Sequence, residues 1–122
     1  MDKAYRREHN LGIFSHLAIA MQLRMVKRVA KKYHIDLAGV KIAIQRDPAW
    51  LDSPFTGAAV PGRVDLFPNA FASEEMLART LFHELVHIKQ YEIYGHAYVQ
   101  KHVLYFEDLA YEAESIKFDK GK

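Results

Sequence analysis

Apolar residues recur every three or four positions along the first part of the chain, a spacing that predicts an amphipathic helix over residues 3–33. The predicted apolar stripe contains Phe14, Leu17, Ala18, Met21, Met25, Val29 and Tyr33. The opposite face carries Arg24, Lys27, Arg28, Lys31 and Lys32. Gly39 is expected to end this segment, because glycine commonly follows the last helical turn.

The pattern then changes to short segments typical of strands. Residues 40–46 alternate apolar and polar side chains, which predicts a strand. Residues 47–54 are rich in Pro, Asp and Ser and predict a loop, whose Trp50 we interpret as a packing anchor. Residues 55–60 and 63–67 predict two strands joined by the turn Pro61-Gly62. The small residues of Gly57–Val60 favour either an edge strand open to an extended peptide or close packing.

Helical spacing returns after residue 73 and continues almost to the end of the chain. Ser73 is the expected N-cap, and Glu74 and Glu75 suit the positive end of the helix dipole. This central helix should end at Gly95, and a last helix is predicted over residues 96–118. The packing stripe predicted for the last helix contains Val103, Phe106, Leu109, Ala113 and Ile116. Helix, strand, hairpin, helix and helix in this order predict an α+β domain.

The central helix contains His83, Glu84 and His87 in the spacing H-E-x-x-H. Residues four apart share one face of a helix, so the two imidazoles can bind one metal ion while the glutamate beside them acts as a base. Between Arg79 and Lys89, every residue other than His83, Glu84 and His87 is apolar or threonine, which predicts a largely buried helix. Buried ionisable groups need pairing or a metal, so we expect a zinc site.

Composition limits the alternatives. The 122 residues predict a single domain over 1–122, and the absence of cysteine leaves His, Asp and Glu as metal ligands. No apolar run approaches the roughly 20 residues of a membrane helix, and the charged start is unlike a signal peptide, so a cytoplasmic product without membrane contact is expected. A domain of a longer exported protein would have the same features. Residues 1–34 carry eight basic and two acidic side chains, a net charge of +6, whereas the rest carry nine and thirteen, a net charge of −4. The basic helix face could bind a polyanion, but a solvated face is the simpler interpretation.

A catalytic zinc needs a third protein ligand. The metzincin pattern would require Gly at position 90 and His at position 93, but the chain has Gln90 and Ile93 there. The ligand is therefore expected from the last predicted helix. The candidates there are Glu107, Asp108, Glu112, Glu114, His96 and His102.

At these residues the chain resembles the gluzincin group of zinc metallopeptidases, specifically small bacterial zincin-like domains. The resemblance lies in residues 80–90, which contain the H-E-x-x-H motif, and in residues 111–115, which resemble a Glu-x-Glu-Ala signature with Ser115 in place of alanine. It implies that Glu112 is the third zinc ligand. It also implies a minimal zincin fold with a long N-terminal backing helix, a small mixed sheet of about three strands, an active-site helix and a C-terminal ligand helix.

The expected activity is zinc-dependent hydrolysis of peptide bonds, with Glu84 as general base for the attacking water. Side chains that could stabilise the oxyanion are Tyr91, Tyr94, Tyr98, Tyr111, His96 and His102. One alternative is a catalytically silent metal-binding domain that uses the basic N-terminal helix to contact a regulatory protein partner. Another is a nucleic-acid-binding module centred on residues 24–32, which would require strong salt dependence.

Overall fold

A computed structural model describes residues 18–120, and they form four α-helices and one three-stranded sheet. The elements are α1 (Ile19–Lys32), β1 (Lys41–Ile44), β2 (Gly57–Val60), β3 (Arg63–Leu66), α2 (Glu74–Tyr94), α3 (His96–Lys101) and α4 (Val103–Phe118), with 3-10 helices at Pro48–Asp52 and Pro68–Ala72. This mixed arrangement is consistent with the predicted α+β class.

The sheet has the order β1-β3-β2. β1 pairs with β3 in parallel, and β2 pairs with β3 antiparallel. The hairpin turns through Pro61 and Gly62, and Gly62 has a φ of 77°, which glycine adopts without steric cost. All three predicted strands are confirmed in shorter form, and β2 forms one edge of the sheet.

Helix α2 is the central element, and it contacts the other three helices as well as β2 and β3. Ser73 caps it as predicted, because its hydroxyl accepts a hydrogen bond from the amide of Met76 at 3.0 Å. The helix ends at Gly95, where φ is 86°. Its core side contributes Leu77, Ala78, Leu81 and Ile88 to a cluster with residues of α1, β3 and Phe118.

The first predicted helix is confirmed over Ile19–Lys32, and residues 3–17 of the prediction lie outside the described residues. Met25 and Val29 are buried as expected, whereas Met21 is half exposed. Two residues of the basic face form ion pairs within the chain. Arg28 and Lys32 contact the carboxylate of Glu74 at 2.5 and 3.0 Å, which joins α1 to the start of α2.

The last predicted helix is divided at His102 into α3 and α4. Neither glycine nor proline occurs between residues 96 and 118, so no sequence signal marks the break. The predicted packing stripe was only partly right, since Phe106 is buried as expected but other members are not. Leu109 and Ile116 are exposed, whereas Phe106, Ala110 and Phe118 are buried. Because α4 has apolar residues on both faces, their spacing did not identify the one that packs against α2.

Within residues 18–120, the helices are too short or too polar to cross a membrane.

Candidate metal centre

His83, Glu84 and His87 lie on the side of α2 that faces a cleft between β2 and α4, and all three are buried. The cleft has a volume of about 850 Å³. The H-E-x-x-H spacing therefore places its three polar side chains together, as the sequence predicted. Glu107 of α4 reaches the same place, and its carboxylate makes a short contact with Nε2 of His83.

The donor atoms of His83, His87 and Glu107 lie within 4.8 Å of one another, and in the described part of the chain they form the single group that could hold a metal ion. Nε2 of His87 lies 3.2 Å from Nε2 of His83 and 3.3 Å from Oε1 of Glu107. Ligands about 2.0–2.1 Å from a tetrahedral zinc are separated by about 3.3 Å. The two distances from His87 match this separation, whereas the contact between His83 and Glu107 is shorter than it.

Glu112, the carboxylate that the sequence analysis expected here, is exposed and does not belong to this group. The physical reason is helical periodicity. Glu107, Ala110, Tyr111 and Glu114 are spaced at three and four residues and share the face of α4 directed at α2, whereas Glu112 lies about 140° away from Glu107 around the axis. The structure thus brings Glu107 to the histidines. Glu107 is another of the candidate ligands that the sequence offers in the last predicted helix.

Gln90 fixes the tautomer of His87. Its amide nitrogen donates a hydrogen bond to the carbonyl of Phe106 at 3.0 Å, so its amide oxygen must face Nδ1 of His87, at 2.8 Å. An oxygen can only accept, and Nδ1 therefore carries the proton. The Nε2 lone pair of His87 is left available to a metal, which is the usual role of a residue hydrogen-bonded behind a metal ligand.

A second acidic group lies behind His83. Oε1 of Glu114 is 3.2 Å from Nδ1 of His83, at an angle outside that of a hydrogen bond, so Nδ1 is buried without a hydrogen-bond partner. The other oxygen of Glu114 accepts a hydrogen bond from Arg79 at 3.1 Å. Arg79 also contacts Glu75 and Asp119, so it links α2 with α4 close to the histidines.

Glu84 lines the cleft beside the donor group. Burial raises the pKa of its carboxyl group, an effect that the nearby His83 and His87 partly oppose and that Glu107 reinforces. A raised pKa brings a carboxylate closer to the range in which it can exchange protons near neutral pH.

Of the side chains predicted to stabilise an oxyanion, Tyr91 and Tyr111 line the cleft. The Tyr91 hydroxyl donates to the carbonyl of Ala59 at 3.2 Å. The ring of Tyr111 lies 4.5 Å from that of His83, centroid to centroid. Tyr94 and Tyr98 instead contact Phe106, His102 contacts Tyr98, and His96 lies against the ring of Tyr91.

The edge of the sheet lies close to this group. A Cβ atom on Gly57 would stand 2.7 Å from Cγ2 of Thr80 and 3.4 Å from Cγ of Glu84. Only glycine allows β2 to approach α2 this closely without displacing a neighbour. The close-packing interpretation of the small residues in Gly57–Val60 is therefore confirmed at Gly57.

Comparisons with protein-family models, with curated proteins and with solved structures gave no significant match.

Proposed function

We propose that this chain is a zinc-dependent metallopeptidase in which His83, His87 and Glu107 hold the metal ion and Glu84 is the general base. The observation that carries the proposal is the convergence of two imidazoles and a carboxylate in a cleft that also contains a buried glutamate. A site that only held a structural metal would have no use for that fourth group. Imidazole and carboxylate ligands suit zinc, and three protein ligands leave a position open, as in catalytic sites.

A bound zinc ion would supply Lewis acidity toward the carbonyl and toward water. The chain itself must then move protons. The Glu84 carboxylate accepts a proton from the attacking water and delivers it to the nitrogen of the leaving amine, which restores the carboxylate for the next cycle. His87 keeps its proton on Nδ1 through Gln90, so its other nitrogen would remain available to hold the ion.

Tyr111 is the stronger candidate for an additional donor to the developing oxyanion. The Tyr91 hydroxyl is already used by the carbonyl of Ala59, whereas the Tyr111 ring lies directly against His83. Burial raises the pKa of Tyr111, and nearby carboxylates raise it further, so its phenol keeps its proton and can donate a hydrogen bond.

A peptide is the substrate class that the edge strand favours. Val60 and Arg63 flank a two-residue turn and pair directly, so alternate residues of β2 direct their backbone groups toward β3. The hydrogen bond from the amide of Phe67 to the carbonyl of Thr56 continues this alternation. Gly57 and Ala59 then direct their backbone groups away from β3. The Ala59 carbonyl already accepts from Tyr91, so an extended peptide could pair with Gly57 and with the amide of Ala59 beside Glu84.

The test is zinc-dependent cleavage of an unstructured protein such as casein by the purified chain, compared with Glu84→Gln. The glutamine variant should bind zinc as the unsubstituted protein does and lose activity by at least about a hundredfold, because general-base catalysis contributes about 10² to 10⁴. Glu92→Gln, an exposed glutamate on the same helix, is the matched control and should cleave normally. Undiminished cleavage by Glu84→Gln would remove the assigned base.

A further inference from the structure

The cleft is apolar at the end where α2 begins. The side chains that line this end are Trp50, Pro54, Phe55, Phe67 and Met76. Phe55 is 66% exposed, Met76 39% and Trp50 37%, so three large apolar side chains are open to solvent beside the proposed centre. Contiguous exposed apolar surface of this kind commonly marks a ligand groove.

The loop that carries Trp50, Pro54 and Phe55 is held in place by hydrogen bonds within it and from Asn69. Asp47 accepts from the amide of Ala49 at 2.9 Å, and the side-chain amide of Asn69 donates to the carbonyls of Leu51 and Ser53, both at 3.1 Å. The exposed Phe55 is fixed as well, because its amide donates to the hydroxyl of Ser53 at 3.1 Å. Phe55 is therefore presented to solvent from an anchored loop.

Aromatic stacking fixes the other wall. The rings of Trp50 and Phe67 are parallel within 3°, with centroids 4.3 Å apart. Phe67 is buried, so Trp50 is supported from behind while its remaining surface faces the cleft. A preformed apolar wall loses little conformational freedom when a ligand binds.

This apolar end continues directly into the candidate metal centre. The hydroxyls of Thr56 and Thr80 are 2.8 Å apart, which joins the residue after Phe55 to α2. Thr80 precedes His83 by three residues, or about 4.5 Å along the helix axis. A side chain in this subsite thus lies within about one or two residues of a peptide bond at the centre.

The charges that line the cleft also limit which substrate side chains can bind at its apolar end. Arg79 lines the cleft, but its guanidinium group is bonded to Glu114, Glu75 and Asp119. It is therefore already neutralised within the chain. An acidic substrate side chain would lose hydration here without gaining a counterion.

We infer that Trp50, Phe55 and Met76 form a specificity subsite that binds a bulky apolar side chain, of the size of leucine, methionine or phenylalanine, next to the cleaved bond. The inference rests on the proposed function, since it names the substrates that the same cleft selects. Burial of such a side chain should favour an apolar over an acidic residue by about tenfold to a hundredfold.

Binding can be measured without catalysis, using zinc-loaded protein that carries Glu84→Gln. Two capped alanine peptides that differ only in phenylalanine or aspartate at the centre are titrated calorimetrically, while the emission of Trp50, the single tryptophan, is followed. The phenylalanine peptide should bind at least about tenfold more tightly and change the Trp50 emission. Adding Phe55→Ala should abolish most of this preference. Adding Tyr105→Ala, which removes a 62% exposed ring on α4 outside the cleft lining, should leave it intact.

Equal binding of the two peptides, or a preference that survives Phe55→Ala, would overturn the inference. Hydrolysis of the same peptides by the unsubstituted zinc-loaded chain tests the proposed peptidase activity separately from the subsite. A binding preference without any cleavage would count against the peptidase and leave the subsite standing. Cleavage of both peptides at equal rates would support the peptidase and remove the subsite.

Discussion

Replacement of Gln90 separates the two roles that its side chain has in this structure. Its oxygen accepts the Nδ1 proton of His87, and its nitrogen donates to the carbonyl of Phe106. Gln90→Leu removes both interactions. Gln90→Glu keeps an acceptor for His87 but loses the donor to Phe106.

Each variant should lower the free energy of unfolding of the zinc-free protein by about 0.5–1.5 kcal/mol, because the buried hydrogen bond from Gln90 to the Phe106 carbonyl is lost. The expectation for zinc is different. Gln90→Leu should weaken zinc binding about 10–100-fold, the usual effect of losing a group that orients a metal ligand, which corresponds to about 1.4–2.8 kcal/mol. Gln90→Glu should bind zinc within a few-fold of the unsubstituted protein, because the tautomer of His87 is preserved.

Zinc affinity is measured by competition with a chromophoric chelator, and stability by urea unfolding in the presence of a strong chelator. Equal losses of zinc affinity in the two variants would show that the effect follows from instability and not from the tautomer of His87. Unchanged affinity in Gln90→Leu would refute the role of Gln90 behind the metal ligand.

Two further predictions concern the packing of α2. Gly57→Ala should destabilise the protein by about 1–3 kcal/mol through overpacking, and combination with Thr80→Ser, which removes the nearest methyl group, should recover about 1 kcal/mol of this loss in a double-mutant cycle of unfolding free energies. Glu74→Gln should lower stability at neutral pH, because Arg28 and Lys32 lower the pKa of the Glu74 carboxyl group in the folded protein. That contribution is present above the ordinary glutamate pKa and is lost as the pH falls through the lowered folded pKa, so unfolding measured across this range should show the two proteins converging in acid.

Additive effects of Gly57→Ala and Thr80→Ser would mean that the methyl group does not limit the approach of β2 to α2. For Glu74, a stability difference that stays constant as the pH falls would contradict the proposed ion pairs.

The elements with strong local signals could be predicted from the sequence. Ser73 and Gly95 delimit α2 correctly because a cap and a left-handed glycine are encoded by single residues. Alternation and the Pro61-Gly62 turn were enough to locate the strands. The pair His83 and His87 was predictable because helical spacing alone places them on one face.

The third member of the metal-binding group, Glu107, was harder to predict from the sequence, because its position depends on which face of α4 packs against α2. Both faces of α4 carry apolar residues, and Leu109 and Ile116 suggested the wrong one. A usable signal was present in the spacing of Glu107, Ala110 and Glu114, where a small residue between two carboxylates permits close approach to buried histidines. The break at His102 had no such signal, because neither glycine nor proline occurs between residues 96 and 118.

Zinc content after dialysis, measured side by side for the unsubstituted protein, Glu107→Ala and Glu112→Ala, tests whether His83, His87 and Glu107 hold the metal ion. We predict about one zinc per chain in the unsubstituted protein and in Glu112→Ala, in line with a single site of three protein ligands, and a large loss of zinc in Glu107→Ala. Absence of bound zinc from the unsubstituted protein, or full retention in Glu107→Ala with loss in Glu112→Ala, would contradict the metal centre described here.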